Sequence, residues 1–497
     1  MRSVHGSESH ASGESHASGE YSRVIAAGYD RWMTAMAHPT NWLERYNAAL
    51  ILTIRVRIPD RPGSLARVLD AIATARTPLG DIRIVSVDSD CKTRDIGIFC
   101  VDRDHLARTL DAIGAVEGVE VLHTTDEVME IHRGGTIETR STVSLDSVMD
   151  LRMVYTPGVA SVCEAIHDHP EQAWEYTAKG DKIAIVTNGT AVLGLGDIGA
   201  LAGLPVMEGK AAILAHSVGV SAEPILIDSK DTERIIDIVA AIASGYGAIQ
   251  LEDIGAPACF DIEHRLNEML DVPVFHDDQH GTATVCVAGL INALKVTHRT
   301  VEETEALVLG AGAAGLAIAQ FLLDFGVGDV IVCDSRGALT ADRAGGMNPW
   351  KQRIAERTNK NHVSGSAEQA IRGRNLFIGV SKPNIVSQDM IRSMAPGSIV
   401  FALANPVSEI RAEDARDAGA AIAMDGRGMN NSLAYPGIFR GALDVHAREI
   451  THEMMLAAAR TLADAATGDA LLPEMTDRAV HRRVARAVAD AWRTRAS

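Results

Sequence analysis

The chain has 497 residues, a length that predicts about two to four domains because a single core rarely grows so large. A charged fraction of 23% and a hydrophobic fraction of 46% are typical of a soluble globular protein. No apolar run reaches the roughly 20 residues of a membrane span, and the net charge of −18 disfavours nucleic acids and anionic membranes as partners. The start holds no apolar signal core and the six cysteines form no CxxC pair, so we expect a cytoplasmic protein with reduced thiols.

Two stretches precede the first predicted domain. Residues 1–20 contain the hexapeptide SHASGE twice in succession, and this small, polar composition predicts a disordered tail. Residues 21–48 carry aromatic side chains at loosely helical spacing, which predicts a helical linker.

Residues 49–125 form the first predicted domain. Its elements follow the order β-α-β-β-α-β of the ferredoxin-like split unit, with strands at 50–58, 82–88, 95–101 and 119–123. With DRPGSL at the first strand–helix junction, the module resembles an ACT domain, a small regulatory fold that often binds amino acids. The resemblance implies an amino-acid or other metabolite effector, and a structural or dimerising module without a ligand is the alternative.

Two acidic pairs organise the middle of the chain. Glu252-Asp253 and Asp277-Asp278 each directly follow a short apolar run that reads as a buried strand. Carboxylates just past strand ends lie where open α/β sheets bind ligands, and four of them would repel one another without a cation. Oxygen-only ligands suit Mg²⁺ or Mn²⁺. The alternative is two solvated acidic turns.

Two residues upstream are candidates for proton transfer. Tyr155 precedes the turn Thr156-Pro157-Gly158, which can present its phenol to a cleft. Lys210 opens the apolar run 211–215, where partial desolvation would lower its pKa and favour a role as a base. Taken singly, the two residues also fit a packed tyrosine and a surface lysine.

The chain contains two GxGxxG motifs. The first, at 194–199, follows a short strand, and Gly203 and Pro205 are expected to interrupt any helix within two turns. It therefore predicts a tight loop on the substrate side, not a dinucleotide site.

The second motif, at 310–315, has the full context of a Rossmann unit, with a strand before it and a helix and a strand after it. Its turn would approach a pyrophosphate through Gly310, Gly312, Ala313, Ala314 and Gly315. Asp334 ends the next strand 24 residues after Gly310, where an acid accepts from the ribose hydroxyls and favours NAD. The neighbouring Arg336 could meet a 2′-phosphate and would also allow NADP.

Three further predicted strands, at 376–380, 398–402 and 421–424, complete a doubly wound sheet. Polar residues near the ends of these strands could bind the nicotinamide ribose or a small hydroxy acid, or could be ordinary turn residues: Ser381, Asn405, Asn430 and Asn431. Helices are predicted at 444–466 and 477–493, and the second carries a valine stripe that would pack on the body or on a second subunit.

The predicted fold class is α/β. A Rossmann-like doubly wound NAD-binding domain at 296–466 follows an α/β substrate and metal domain at 135–295, and the ferredoxin-like module precedes both. A C-terminal helix occupies 467–497.

Taken together, the motifs resemble the malic enzyme family. YTPGVA, NGTAVLGLGDIGALAGLPVMEGK, LEDIG, VFHDDQHGTA, GAGAAG, ANP and NNSLAYPGIFRGALDV all match its bacterial pattern, in one order and across residues 135–460. One position departs from the larger eukaryotic members, which carry an arginine for a substrate carboxylate where this chain has Ala191. The bacterial pattern shares this departure.

The resemblance implies a role for most of these residues. Glu252, Asp253 and Asp278 would hold the metal, and Asp277 would pair with Lys210. Lys210 would be the general base and Tyr155 the general acid. The side chains that would contact substrate or nicotinamide are Asn405, Asn430 and Asn431.

The implied activity is the oxidative decarboxylation of malate to pyruvate with NAD⁺ and a divalent metal, in a homodimer or higher homo-oligomer. Three alternatives stay open: a malolactic enzyme that retains NADH, a metabolite sensor with an inert catalytic body, and an amino-acid dehydrogenase. The last would not need the two acidic pairs.

Overall fold

The structure, a computed structural model, describes residues 50–192 and 194–495. The chain divides into two compact units between Gly134 and Gly135, and each is described by itself. The tail and the helical linker predicted for residues 1–48 lie outside the described residues.

The first unit has the β-α-β-β-α-β order that its sequence predicts. Its antiparallel sheet has the order β2-β3-β1-β4, and alternate residues of β1 are buried against the helices. Gly63, in the left-handed region at φ 83°, precedes the first helix. The elements are β1 Leu50–Pro59, α1 Ser64–Thr74, β2 Leu79–Val87, β3 Cys91–Cys100, α2 Arg103–Gly114, β4 Glu120–Asp126 and α3 Glu127–Ile131.

The second unit begins with short helices and continues into a parallel sheet of order β6-β5-β7-β8. Strands β5, β7 and β8 are buried along almost their whole length, as expected for a parallel sheet covered on both faces. The elements are α4 Val148–Val154, α5 Val159–Asp168, α6 Ala173–Tyr176, β5 Lys182–Thr187, α7 Ala200–Val218, β6 Ser221–Leu226, α8 Thr232–Ile242, β7 Ala248–Leu251, α9 Ala258–Met269, β8 Val274–His276 and α10 Asp277–Thr297.

A second sheet in the same unit has the order β11-β10-β9-β12-β13-β14, with all pairs parallel except β10–β11. The chain reverses direction across the sheet between β9 and β12, which is the topological switch point of a Rossmann fold. The elements are β9 Glu305–Leu309, α11 Ala313–Phe325, β10 Asp329–Asp334, β11 Gly337–Ala338, α12 Pro349–Ala355, α13 Ala367–Ala370, β12 Leu376–Gly379, α14 Gln388–Arg392, β13 Ile399–Ala402, α15 Ala412–Asp417 and β14 Ile422–Asp425.

Three helices end the chain: α16 Tyr435–Asp444, α17 His452–Ala465 and α18 Arg478–Arg495. The predicted start of the helix at 444–466 is wrong. Helix α16 ends at Asp444, and α17 begins only at His452, where the Thr451 side chain caps it. The valine stripe of α18 packs within this chain, since a Cβ on Gly437 would lie 2.6 Å from Val484. Close glycine packing thus joins α18 to α16.

The structure corrects one predicted helix interruption and shows where the helix that carries the second acidic pair begins. Helix α7 runs without interruption from Ala200 to Val218, through Gly203 and Pro205, so the predicted interruption is wrong. Gly203 faces β5, and burial of the helix outweighs the hydrogen bond lost at Pro205. Helix α10 begins at Asp277, so the second acidic pair lies within its first turn.

Candidate active site

The two acidic pairs lie side by side because their strands do. Strands β7 and β8 are parallel neighbours, with Leu251 opposite His276, so the residues that follow them emerge at one edge of the sheet. Ligand oxygens of Glu252, Asp253 and Asp278 all lie within 4.8 Å of one another. The sheet thus builds a group of three carboxylates at its carboxyl edge.

Lys210 enters this edge from α7. Its Nζ lies 2.5 Å from Oδ2 of Asp277, 2.9 Å from Oε1 of Glu252 and 3.3 Å from Oδ1 of Asn431, and it lies 4.7 Å from the centre of the Tyr435 ring. The side chain is only 12% exposed. Burial lowers the pKa of Lys210, but the charges of Asp277 and Glu252 outweigh burial and leave the pKa well above its ordinary value. Lys210 is therefore an ammonium group in this arrangement.

The carboxylates outnumber the cation that faces them. Glu252, Asp253 and Asp277 are almost fully buried, and burial raises the pKa of Asp277 and of Asp278 to about 6. Burial also raises the pKa of Glu252. Four carboxylates against one ammonium leave an excess of negative charge that favours a bound cation.

The donor set fits a hard divalent cation. Oδ1 of Asp277 is buried and has no hydrogen-bond donor among the described residues, and Glu252, Asp253 and Asp278 offer only oxygen atoms. Asp253 adopts the left-handed region at φ 54°, and its backbone N–H donates to Oδ2 of Asp278 over 2.9 Å. Strain of this kind is held where the surrounding structure fixes a functional side chain.

Gly281 makes room for Asp277. It lies four residues after Asp277 on the same face of α10, and a Cβ there would overlap Oδ1 of Asp277. A larger residue in place of the glycine of HDDQHGT would displace the Asp277 side chain, which faces Lys210.

The second glycine motif forms the turn between β9 and α11. Gly310 has φ 125°, and a Cβ there would overlap the Val380 carbonyl at the end of β12. A Cβ on Gly315 would overlap the carbonyl of Gly310. Gly312 has open space where its Cβ would stand, so the backbone can be approached from outside, next to the first residues of α11, Ala313 and Ala314.

The first glycine motif lies elsewhere. Its Gly194 has φ 75°, and a Cβ there would stand 2.7 Å from Cδ of Pro406 and 2.8 Å from the Asn405 carbonyl. The loop therefore packs against the segment that follows β13 and does not form the turn of the Rossmann sheet.

Asp334 ends β10 within a cluster of cations. Arg343 donates to both of its carboxylate oxygens, at 2.9 and 2.6 Å, and Lys351 donates over 2.8 Å. The backbone N–H of Arg336 adds a fourth bond of 2.9 Å. Burial raises the pKa of Asp334, but the bonds from Arg343 and Lys351 outweigh it and hold the pKa well below its usual range.

The four polar residues predicted near strand ends differ in whether they reach Lys210. Asn431 contacts Lys210, whereas the side chain of Asn430 accepts from the backbone N–H of Ser432 as a cap. Asn405 donates to the Leu403 carbonyl, and the Ser381 N–H donates to Glu409 over 2.7 Å. Of these four, only Asn431 lies within hydrogen-bonding distance of Lys210.

Tyr155 makes no side-chain hydrogen bond with Lys210 or its partners among the described residues. The residue is 67% exposed, and it bonds through its backbone to Leu151 and Val159. The aromatic ring beside Lys210 belongs instead to Tyr435, whose pKa burial raises.

Sequence reasoning assigned no role to Tyr435, Arg343 or Lys351. Tyr435 stands in the quoted motif NNSLAYPGIFRG, so the motif itself was the available signal. Arg343 and Lys351 follow Asp334 by 9 and 17 residues, and only the folded loop brings them to it.

A Rossmann sheet with an open glycine turn, joined in one unit to a buried lysine–carboxylate cluster, defines a class of dinucleotide-binding enzyme. The comparisons with known proteins give the family. Residues 134–267 match the malic enzyme N-terminal domain and residues 279–492 match the malic enzyme NAD binding domain. The chain belongs to the malic enzyme family.

The relatives of this chain agree over most of its length. It is 44% identical over 454 residues to an NAD-dependent malic enzyme of Geobacillus stearothermophilus, covering 89% of this chain and 95% of that protein. It is 45% identical over 378 residues to a bifunctional malic/malolactic enzyme of Bacillus subtilis, covering 74% of this chain and 92% of the relative. The crystal structure of an NAD-dependent malic enzyme from Thermotoga maritima matches with a TM-score of 0.71 and 42% identity, covering 73% of this chain and 98% of the other.

Proposed function

We propose that this chain catalyses the oxidative decarboxylation of (S)-malate to pyruvate and CO₂, with NAD⁺ as oxidant and Mg²⁺ or Mn²⁺ as the metal. The observation that carries the proposal is the contact of Lys210 with Asp277 and Glu252, beside three carboxylates that share one small space. The Rossmann turn at 310–315, which belongs to the same unit, supports a site for the dinucleotide.

The metal and the dinucleotide would each have a defined place and chemistry. Glu252, Asp253 and Asp278 would hold a divalent cation, which would polarise the C2 oxygen of malate as a Lewis acid. The glycine turn at 310–315 would hold NAD⁺, which would accept the hydride from C2.

Lys210 is the base that takes the proton of the C2 hydroxyl. It can release its own proton only after the charges of Asp277 and Glu252 have been offset, because those charges raise its pKa. Asp277 holds the lysine in place through a 2.5 Å contact, and Asn431 accepts from the same Nζ. Proton removal at Lys210 is thus coupled to occupation of the acidic cluster.

The acid that protonates C3 of the resulting enol is Tyr155 in this proposal, and a second copy of the chain supplies it. Tyr155 lies in a run of exposed apolar side chains that the described part of one chain leaves uncovered, among them Val148, Met149, Met153 and Val154. Such a surface marks a protein interface. A homo-oligomer that covers this run would bring the tyrosine of one subunit to the site of another.

Mixed subunits test the shared site. Lys210→Ala and Tyr155→Phe proteins should each be inactive in malate oxidation, and subunits mixed after reversible dissociation should regain about one quarter of wild-type activity by statistical pairing. Mixing that restores no activity would place acid and base in the same subunit. Lys210→Ala mixed with itself is the control.

The cofactor is proposed to be NAD⁺, because Asp334 stays ionised and would repel a 2′-phosphate. The cations at Arg343 and Lys351, with Arg336 beside them, would still let NADP⁺ react more weakly. An assay of malate oxidation with each cofactor, with Mn²⁺ and with EDTA, tests both proposals. Activity that survives EDTA would contradict the metal and favour an amino-acid dehydrogenase.

A second candidate is malolactic activity, which the relative from Bacillus subtilis carries in its name. Such turnover would form lactate and retain NADH. Release of NADH in proportion to pyruvate would exclude it as the main reaction.

Regulation through the first unit is also proposed. Its β-α-β-β-α-β order and the DRPGSL turn support an ACT-like effector module. Its edge strand β2 exposes Ile82, Ile84 and Val87, a surface that suits pairing with another copy. Protein lacking residues 1–130 should keep metal-dependent turnover and lose any response to amino acids, and such turnover would exclude a sensor with an inert catalytic body.

A further inference from the structure

A cavity of about 450 Å³ lies behind the first turn of α10, among helices α9, α11 and α12. Its walls are mostly apolar and aromatic, with Phe260, Phe275, Trp350, Leu316 and Ile354 among them. The volume falls within the range of roughly 300–1,000 Å³ of small-molecule sites. None of the residues assigned to the metal, malate or the dinucleotide lines this cavity.

One cation faces the cavity without a partner acid. The Arg353 guanidinium lies 4.6 Å from the centre of the Trp350 ring, and no ion pair or hydrogen bond is recorded for it within the described chain. Trp350 is itself fixed, since its Nε1–H donates to Asp261 over 2.9 Å and its ring lies 5.3 Å from that of Phe260. The mouth of the cavity thus holds an oriented arginine above an aromatic wall.

The carboxylate in the cavity wall, Glu263, already has hydrogen-bond partners within the protein. Glu263 is buried; its Oε1 accepts from the His276 backbone N–H over 2.7 Å, and its Oε2 lies 3.0 Å from Gln279 and 2.9 Å from His280. Because these bonds satisfy Glu263, the charge open to a ligand is that of Arg353. The complementary ligand is an anion with an apolar body.

We propose that this cavity is an effector site for a small carboxylic acid with an aromatic or branched aliphatic body. The ring or branched chain fills the apolar walls, and the carboxylate pairs with Arg353. The arginine fork gives such a ligand two parallel hydrogen bonds that an amide of the same shape would lose.

Glu263 connects the cavity to the acidic cluster. Its three bonds hold His276, Gln279 and His280, and therefore hold the first turn of α10, which also carries Asp277 and Asp278. A ligand that presses on Gln279 and His280 shifts this turn and changes the spacing of the carboxylates. The effect on metal rests on the proposed function, whereas binding of the acid does not.

Calorimetry with 2-naphthylacetate tests the binding site. This probe has no oxygen on the carbon beside its carboxylate, so it lacks the chelating pair of malate. Arg353→Gln should weaken binding at least about tenfold, and 2-naphthylacetamide should bind the wild-type protein more weakly by a similar factor. The matched control is Arg357→Gln, because Arg357 is an exposed arginine that already pairs with Asp324.

A second variant tests the cavity without changing charge. Ala317→Leu adds volume to the wall and should abolish binding while the protein still unfolds cooperatively. Equal affinities of the wild-type, Arg353→Gln and Ala317→Leu proteins for 2-naphthylacetate would overturn the site.

The effect of the cavity ligand on metal binding is measured separately from binding of the ligand itself. Saturating 2-naphthylacetate should change the Mn²⁺ dissociation constant about threefold or more, measured by the paramagnetic signal of free Mn²⁺, and Arg353→Gln should remove the change. An unchanged Mn²⁺ constant would overturn the coupling. Acid binding by a protein that fails to oxidise malate would contradict the proposed function alone.

Discussion

Two clusters of buried charge in one unit have opposite balances. Around Lys210, four carboxylates share one ammonium, whereas around Asp334 one carboxylate receives Arg343 and Lys351. Burying a charge costs free energy unless an opposite charge offsets it. The sign of the excess charge in each cluster therefore indicates the charge of the ligand that would stabilise it. The first cluster calls for a cation, whereas in the second the two cations are engaged by Asp334 and keep it ionised.

The largest expected effect comes from removing the one cation of the acidic cluster. Lys210→Ala should lower kcat for malate oxidation by about 10³-fold or more, because it removes the base and leaves the acids unpaired. With metal, the variant should retain some reduction of added oxaloacetate, because water can supply the proton that the C2 oxygen takes up after hydride transfer. Steady-state assays measure both, and Lys230→Ala is the control, since Lys230 is an exposed lysine paired with Asp197.

Near wild-type malate oxidation by Lys210→Ala would show that the acidic cluster works without its cation, and would remove the basis of the comparison.

Loss of one acid should have a smaller effect that depends on which acid is lost. Asp278→Asn should weaken Mn²⁺ binding about 10- to 100-fold, while Asp277→Asn should mainly shift the pH dependence of kcat, because Asp277 faces Lys210. Replacing Glu252 should have both effects, because Glu252 contacts Lys210 and is also one of the three carboxylates proposed to hold the metal. Equal Mn²⁺ affinities in the two variants would show that the division is wrong.

Much of this arrangement follows from local patterns in the sequence. A short buried strand followed by an acidic pair occurs twice, and neighbouring parallel strands bring the two pairs together. The glycines at 310–315 and Asp334 follow the spacing of a Rossmann unit, and in the structure the glycines form the turn between β9 and α11 while Asp334 ends β10. These features depend on contacts close in sequence.

Features that depend on distant contacts were not predictable. Pro205 was expected to end a helix, yet α7 continues because its buried face packs on the sheet. Tyr435 reaches Lys210 from 225 residues away, and although the motif NNSLAYPGIFRG contains it, no spacing within that motif shows that its ring lies beside the lysine. Tyr155 shows the opposite case, since a local motif named it but one chain leaves it exposed.

The acidic cluster should also respond to pH. Because the pKa of Asp277 and of Asp278 lies at about 6, protons compete with the metal below that pH, and Mn²⁺ affinity should fall by up to about tenfold per unit. Between an ordinary pKa near 3.8 and about 6 the folded, metal-free protein binds more protons than the unfolded chain, so these groups make it less stable as pH rises. Calorimetric titration across this range measures the affinity, and a constant value would contradict the prediction.

The smallest expected effect concerns the second cluster. Asp334→Asn keeps the shape of the side chain but leaves the charges of Arg343 and Lys351 uncompensated, so both can turn to a 2′-phosphate. The ratio of kcat/KM with NADP⁺ to that with NAD⁺ should rise about tenfold, mostly through KM for NADP⁺. Asp324→Asn, at the other end of α11, removes a carboxylate paired with Arg357 and should leave the ratio unchanged. If the ratio of kcat/KM values is the same in Asp334→Asn as in the wild-type protein, Arg343 and Lys351 do not face the ribose. The positive charge around Asp334 would then say nothing about the ligand, unlike the negative charge around Lys210.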